Sequence, residues 1–237
     1  NFQTSLLAYG RNGQKCVVCH TNMRFIKVNG RGTTFCPHCQ IKKGKPLRIA
    51  IVGKIASGKS AVLDIFNKEN YLTVSSDEIV HNLYEKKEIQ DLIIKRFKLK
   101  VGDDFLTTLR EHLKVKKEDL NRLEKIVHPL VKKEIELAFK KSSSLLLVAE
   151  VPLLFKAKME NMFDVIIGVD ISEENQMKRL HIRDQEKSAF LKRINDLNNM
   201  FNEHYQDLDF VIDNNGDLKS LNKQTKEVIN KVLSRLN

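Results

Sequence analysis

Tryptophan is absent, proline occurs only four times, and no cysteine follows Cys39. A disulfide framework is thereby excluded for everything beyond the first cysteine-bearing segment. No apolar run reaches the roughly 20 residues needed to cross a bilayer. The N-terminus also lacks the apolar core of a secretory signal. A cytoplasmic location with no membrane partner is therefore expected. The first 48 residues contain no Asp or Glu but nine Lys or Arg, leaving 32 basic against 30 acidic residues in the remainder. The net charge of +11 thus sits almost wholly at one end. That asymmetry implies either a polyanion partner for this end or a solvated basic face. A chain of 237 residues has room for one sizeable α/β domain and a small module. It begins at Asn1 rather than Met, as a fragment of a longer product would.

What is present is organised around Leu47–Phe66, LRIAIVGKIASGKSAVLDIF. An apolar run stops at Gly53, and Gly58-Lys59-Ser60 leads into a segment with Val62 and Phe66 at helical spacing. This is a strand, a glycine-bounded loop and a helix, with G-x-x-x-x-G-K-S across the turn. Glycines let the backbone N–H groups of Gly53, Lys54, Ile55, Ala56, Ser57, Gly58, Lys59, Ser60 and Ala61 approach and cradle phosphates. The following helix offers the positive end of its dipole. Lys59 would reach the β- and γ-phosphates of a nucleoside triphosphate, and the Ser60 hydroxyl would hold Mg²⁺.

The four cysteines, Cys16, Cys19, Cys36 and Cys39, are spaced C-x2-C-x16-C-x2-C. Four thiolates so arranged suit a structural, tetrahedral Zn²⁺; the alternative is two disulfides. Between them Met23–Val28 alternates like a hairpin strand, with a turn signal at Asn29-Gly30. Arg31, between two glycines, is presented at the tip, where a guanidinium suits a phosphate diester. IKKGKP, residues 41–46, reads as a linker, dividing the chain into domains 1–45 and 46–237.

Further along, Tyr71–Val74 reads as a strand ending at Ser75-Ser76-Asp77-Glu78. Asp77 there could accept a proton from an acceptor hydroxyl, hold the metal's waters, or cap the next helix. Residues 79–140 read as helices, with Pro129 expected to start a new one and to leave His128 at its N-terminus. Leu145–Ala149 is a buried strand ending at Glu150, the position from which a carboxylate orients Mg²⁺-bound water. Phe163–Val169 is another strand, ending at Asp170, and Ser172 caps the helix after it. That helix carries Gln176, Arg179 and Arg183. The two arginines share a face and, with Lys192 and Arg193, fit either a lid over phosphates or a solvated surface. Phe210–Asp213 is a last strand, and the closing helix covers the sheet.

Two resemblances rest on these residues. NFQTSLLAYGRNGQKC and GRGTTFCPHCQ, within residues 1–42, resemble the zinc finger that closes formamidopyrimidine-DNA glycosylases. That resemblance implies an Arg31 grip on the DNA backbone. The family's catalytic N-terminal part is missing, so base excision is not expected. Residues 47–235 resemble dephospho-CoA kinase through Gly53–Ser60, Ser76–Ile79, LEKIVHPLV from Leu123, VPLLF from Val151, QMKRL from Gln176, Arg183-Asp184 and VIDN from Val211. The resemblance implies a P-loop fold of adenylate-kinase-like type, a parallel sheet flanked by helices with helical lid and acceptor regions. It further implies transfer of the ATP γ-phosphoryl to the 3′-hydroxyl of dephospho-CoA. Asp77 would be the base, Lys59 and Arg183 catalytic, Arg179 on ATP, Ser60 and Glu150 on Mg²⁺, and His128 near the acceptor. The chain departs from the family at Ser75 and Glu150, where aspartates are usual, at Lys156, where an acidic residue is usual, and at Phe105-Leu106, where an Asp-Arg pair is usual; Glu150 keeps the charge. The other readings of the chain are a kinase of another small nucleoside or nucleotide, and a DNA-binding repair accessory acting through the finger.

Overall fold

The computed structural model describes residues 8–18, 20, 23–28, 31–36, 46–100, 102, 104–183 and 188–234. Two strands, β1 (Arg24–Val28) and β2 (Arg31–Phe35), form an antiparallel hairpin in the N-terminal module. The expected turn at Asn29-Gly30 lies outside the described residues, as does most of the expected linker.

A second sheet follows. It comprises β3 (Leu47–Gly53), β4 (Leu72–Ser75), β5 (Leu146–Glu150), β6 (Val165–Asp170) and β7 (Phe210–Asp213), in the order β4-β5-β3-β6-β7. β3 pairs in parallel with β5 on one side and β6 on the other, and β6 pairs in parallel with β7. Parallel strands need crossovers, here supplied by helices. Burial on both faces explains why β5 is an uninterrupted apolar run up to its last residue. Alternate strand residues Ile49, Ile51, Val148, Ile167 and Ile212 share one face. On it pack α1 (Lys59–Lys68) and α8 (Leu218–Ser234), through Val62, Phe66, Leu221 and Ile229. Each such buried side chain contributes about 1.5–3 kcal/mol. On the opposite face Gly168 lies beneath Phe201 of α7 (Ser188–Glu203).

The chain separates into two compact units, residues 1–73 with 142–237, and residues 74–141. The second unit holds α2 (Ser76–Glu85), α3 (Lys87–Phe97), α4 (Phe105–Val115) and α5 (Asp119–Lys141). The helical reading of this region holds, but one junction differs. Pro129 does not begin a new helix: α5 runs through it. Proline removes the hydrogen bond to the Lys125 carbonyl and crowds that carbonyl with its ring, a cost the packing of the helix outweighs. The buried stripe Leu123, Val127, Val131, Ile135 and Phe139 continues unbroken across it. His128 therefore sits mid-helix, without the helix N-terminus expected for it. α4 and α5 are clasped by Asp119, which is buried; His112 Nε2 lies 2.8 Å from its Oδ2, and Arg122 donates to its Oδ1 at 3.0 Å. The His112 hydrogen bond, assisted by the Arg122 charge and opposed by burial, holds this carboxyl below its ordinary range. Among the described residues no helix is long and apolar enough to cross a membrane.

Candidate active site

The loop between β3 and α1 forms as its sequence requires. Gly58, the residue before α1, is left-handed (φ 94°, ψ 26°), a conformation glycine adopts without steric cost. A Cβ there would collide with the Asn214 amide nitrogen, and one on Gly53 would collide with the Val169 carbonyl. The first turn of α1 carries no acidic residue of its own, and the positive end of its dipole favours an anion there.

Two features fit the loop to an anion. Lys59 is buried, and its Nζ donates to Gly53 O at 3.2 Å and Lys54 O at 2.9 Å, folding the charge back over the turn. Ser57 Oγ is fully buried with no hydrogen-bond partner among the described residues, a polar atom left for something the loop would enclose. Ser60, next on α1, donates from Oγ to Glu150 Oε1 at 3.2 Å. Glu150 ends β5 and is buried. A hydroxyl and a carboxylate side by side are the all-oxygen chemistry that Mg²⁺ takes.

From outside, the loop is held by groups far away in sequence. Gln176 Nε2 donates to Ile55 O at 2.7 Å. Arg179 NH1 reaches Ala56 O and Ser57 O at 3.3 and 3.4 Å, and its NH2 reaches Asn214 O at 2.8 Å. Asn214 Nδ2 donates to Ser57 O at 2.6 Å. Lys54 Nζ pairs with Asp170 Oδ1 at 2.8 Å. Gln176 and Arg179 lie on α6 (Glu173–Arg183), whose first turn Ser172 caps by accepting from Asn175 N at 3.4 Å, as its sequence suggests. Arg179 is thus turned onto the loop carbonyls. The side chains of Arg183, Lys192 and Arg193 lie outside the described residues.

The first unit therefore brings together Gly53–Ala61, Glu150, Asp170 and Arg179. Asp77 and His128 belong to the second. Asp77 is exposed in the first turn of α2, and the cap is Ser75, whose Oγ accepts from Glu78 N at 3.4 Å. The Asn214 brace and the Lys54–Asp170 pair carried no role in the sequence reading. Both follow from strand ends converging at one edge of a parallel sheet.

In the N-terminal module Cys16 and Cys36 are buried around Met23, and Val18 N donates to Cys16 Sγ at 3.5 Å. An amide directed at sulfur two residues back stabilises a thiolate, so the pair fits a metal knuckle. Cys19 and Cys39 lie outside the described residues, and among those described no group of three metal-binding side chains gathers. Arg31 opens β2, exposed.

Comparison with known proteins gives the same two parts. The dephospho-CoA kinase family model matches residues 47–220, and a zinc finger found in FPG and IleRS matches residues 13–41, at the N-terminal end of this chain. A dephospho-CoA kinase of Bartonella henselae is 32% identical over 191 residues, covering 78% of this chain and 97% of that protein. One from Fusobacterium nucleatum is 30% identical over 182 residues, covering 75% and 94%. A crystal structure of a Thermus thermophilus protein superposes with a TM-score of 0.68 at 24% identity, covering 82% of this chain and all (100%) of that one. The dephospho-CoA kinase from Campylobacter jejuni gives 0.56 at 24% identity, covering 79% and 97%. These two superpositions bear on the fold, a parallel sheet flanked by helices. The family model and the curated relatives bear on what the sheet carries, and by them this chain belongs to the dephospho-CoA kinase family.

Proposed function

We propose that this ATP-dependent kinase transfers the γ-phosphoryl of ATP to the 3′-hydroxyl of dephospho-CoA, giving coenzyme A. The observation that carries the reading is the Gly53–Ser60 loop, with Lys59 folded over it and Ser60 beside Glu150. Backbone amides of residues 53–61 would bind the phosphates, and Lys59 would neutralise charge on the transferred group. Ser60 and Glu150 would hold Mg²⁺, which supplies charge neutralisation between the β- and γ-phosphates. Asp77 would accept the proton of the attacking hydroxyl, His128 would contact the acceptor, and Arg183 would stabilise the transferred group. Catalysis of this kind is mainly positioning and electrostatics. A coupled ADP-release assay with dephospho-CoA, beside a panel of other nucleosides and nucleotides, tests it. Dephospho-CoA should turn over well and the others poorly; preferred turnover of another acceptor would replace the assignment.

For the N-terminal part we infer a domain of residues 1–45 closed by Zn²⁺ on Cys16, Cys19, Cys36 and Cys39, joined to a kinase domain of residues 46–237. The separate matches to residues 13–41 and 47–220 support the division, and the Val18 amide on Cys16 Sγ supports the metal. A module this small needs the metal for most of its folding energy. Contact of Arg31 with a DNA backbone rests on its exposure and on the acid-free charge of residues 1–48. Duplex binding that weakens steeply with salt and on Arg31→Ala would support it; binding indifferent to both would remove it.

A further inference from the structure

Residues 55, 56 and 57 each present a backbone carbonyl that is engaged by a side chain from outside the loop. Ile55 is engaged by Gln176, Ala56 by Arg179, and Ser57 by Arg179 and Asn214. The peptide unit is planar and trans, so tying a carbonyl one way turns the next amide N–H the other way. The amides of Ala56 and Gly58 are oriented by these ties, in a loop where Ala56 itself has a left-handed φ of 56°.

The Ile55 tie differs from the others because it continues. Gln176 is 2% exposed. Its Nε2 donates to Ile55 O at 2.7 Å and to Asn198 Oδ1 at 3.1 Å, while its Oε1 accepts from Asn198 Nδ2 at 2.8 Å. Both N–H groups of the Gln176 amide are thus used. The orientation is unambiguous, since a flipped amide would set its oxygen against the Ile55 carbonyl. Asn198 lies on α7, whose residues Leu197, Met200 and Phe201 line, with Ile55 and Lys59, a small cleft of ≈ 30 Å³, so this helix borders the loop directly.

We propose that Gln176, held by Asn198, is a positioning residue for the triphosphate, through which the placement of α7 sets the conformation of the loop. This rests on the reading of the loop as the ATP site. Coupling of this kind is reciprocal: nucleotide bound in the loop must stabilise α7 by the same free energy with which α7 favours nucleotide.

The experiment is direct titration of the full chain with a fluorescent ATP analogue and no acceptor. It is paired with steady-state kinetics on both substrates and with hydrogen exchange of α7. Gln176→Leu, which keeps the volume and removes the donor, should weaken analogue binding about tenfold, the loss of one hydrogen bond to a part-buried carbonyl. The KM for ATP should rise in step while that for dephospho-CoA stays put. Asn198→Ala should weaken binding about threefold and add nothing to Gln176→Leu, because it acts only through that residue. In wild type the analogue should protect α7 amides from exchange, and in Gln176→Leu it should not. Additive effects of the two substitutions, equal rises of both KM values, or α7 protection that survives Gln176→Leu would each overturn the relay. A wild-type protein that binds the analogue but does not phosphorylate dephospho-CoA would count against the acceptor alone.

Discussion

Ser60 Oγ stands 3.2 Å from Glu150 Oε1, joining the first turn of α1 to the end of β5. Strand β5 pairs directly with β3, so the carboxylate is placed by the strand beside the one that leads into the loop, and the hydroxyl by the first turn of α1. Glu150→Gln keeps the shape and the hydrogen bond but removes the charge that would hold Mg²⁺. Turnover should fall by about a hundredfold or more, with a shift of the Mg²⁺ requirement to higher concentration. Rates measured across a magnesium series would show it; an unchanged magnesium dependence would free Glu150 of the role.

Lys59→Ala removes the charge folded over the Gly53 and Lys54 carbonyls. The expected outcome is loss of turnover by several orders of magnitude, read in the coupled assay, with the fold retained by circular dichroism.

For Asp77→Asn, turnover should fall steeply while affinity for the ATP analogue is nearly kept, since the residue is assigned to the acceptor's proton. A variant as fast as wild type would remove Asp77 as base.

Asp119 makes a pH-dependent contribution to the helical unit. Its carboxyl is held low in the folded state, chiefly by His112. The stabilisation is therefore fully present above the ordinary carboxylate value of about 4 and lost as pH falls through the lower folded value. The gap in melting temperature between wild type and Asp119→Asn should be constant at neutral pH and close as the solution is acidified below about pH 4. A gap that stays open there would refute the clasp.

Elemental analysis should find one zinc per chain, and a zinc-selective chelator in the presence of excess Mg²⁺ should unfold residues 1–45 without abolishing kinase activity. Metal-free protein with an intact finger would exclude the four-thiolate site.

The parts of this architecture that were legible in the sequence are those written by local rules. The Gly53–Ser60 spacing, the apolar run before Glu150 and the cap at Ser172 each depend on residues within a turn or two of one another. Pro129 misled because its local preference, to start a helix, was weaker than the buried stripe running through it from Leu123 to Phe139. Gln176 and Asn214 could be named but not understood, and Asn198 was not singled out at all. Their partners are loop carbonyls 121 and 157 residues away for Gln176 and Asn214, and a side chain 22 away for Asn198, and no periodicity encodes such meetings. Arg179 was legible as a cation on a helix face, yet which way it turned was decided by the Ala56, Ser57 and Asn214 carbonyls.

The two glycines that bound the phosphate loop differ in what blocks a side chain, and this has a genetic consequence. At Gly58 the obstacle is the amide of Asn214, whereas at Gly53 it is the Val169 carbonyl of the adjoining strand. At Gly58→Ala a smaller residue in place of Asn214 reopens the space but leaves the left-handed backbone strain, so second-site revertants there should recover activity only in part. No trimming of another residue can withdraw a main-chain oxygen, so screens starting from Gly53→Ala should return only the original codon.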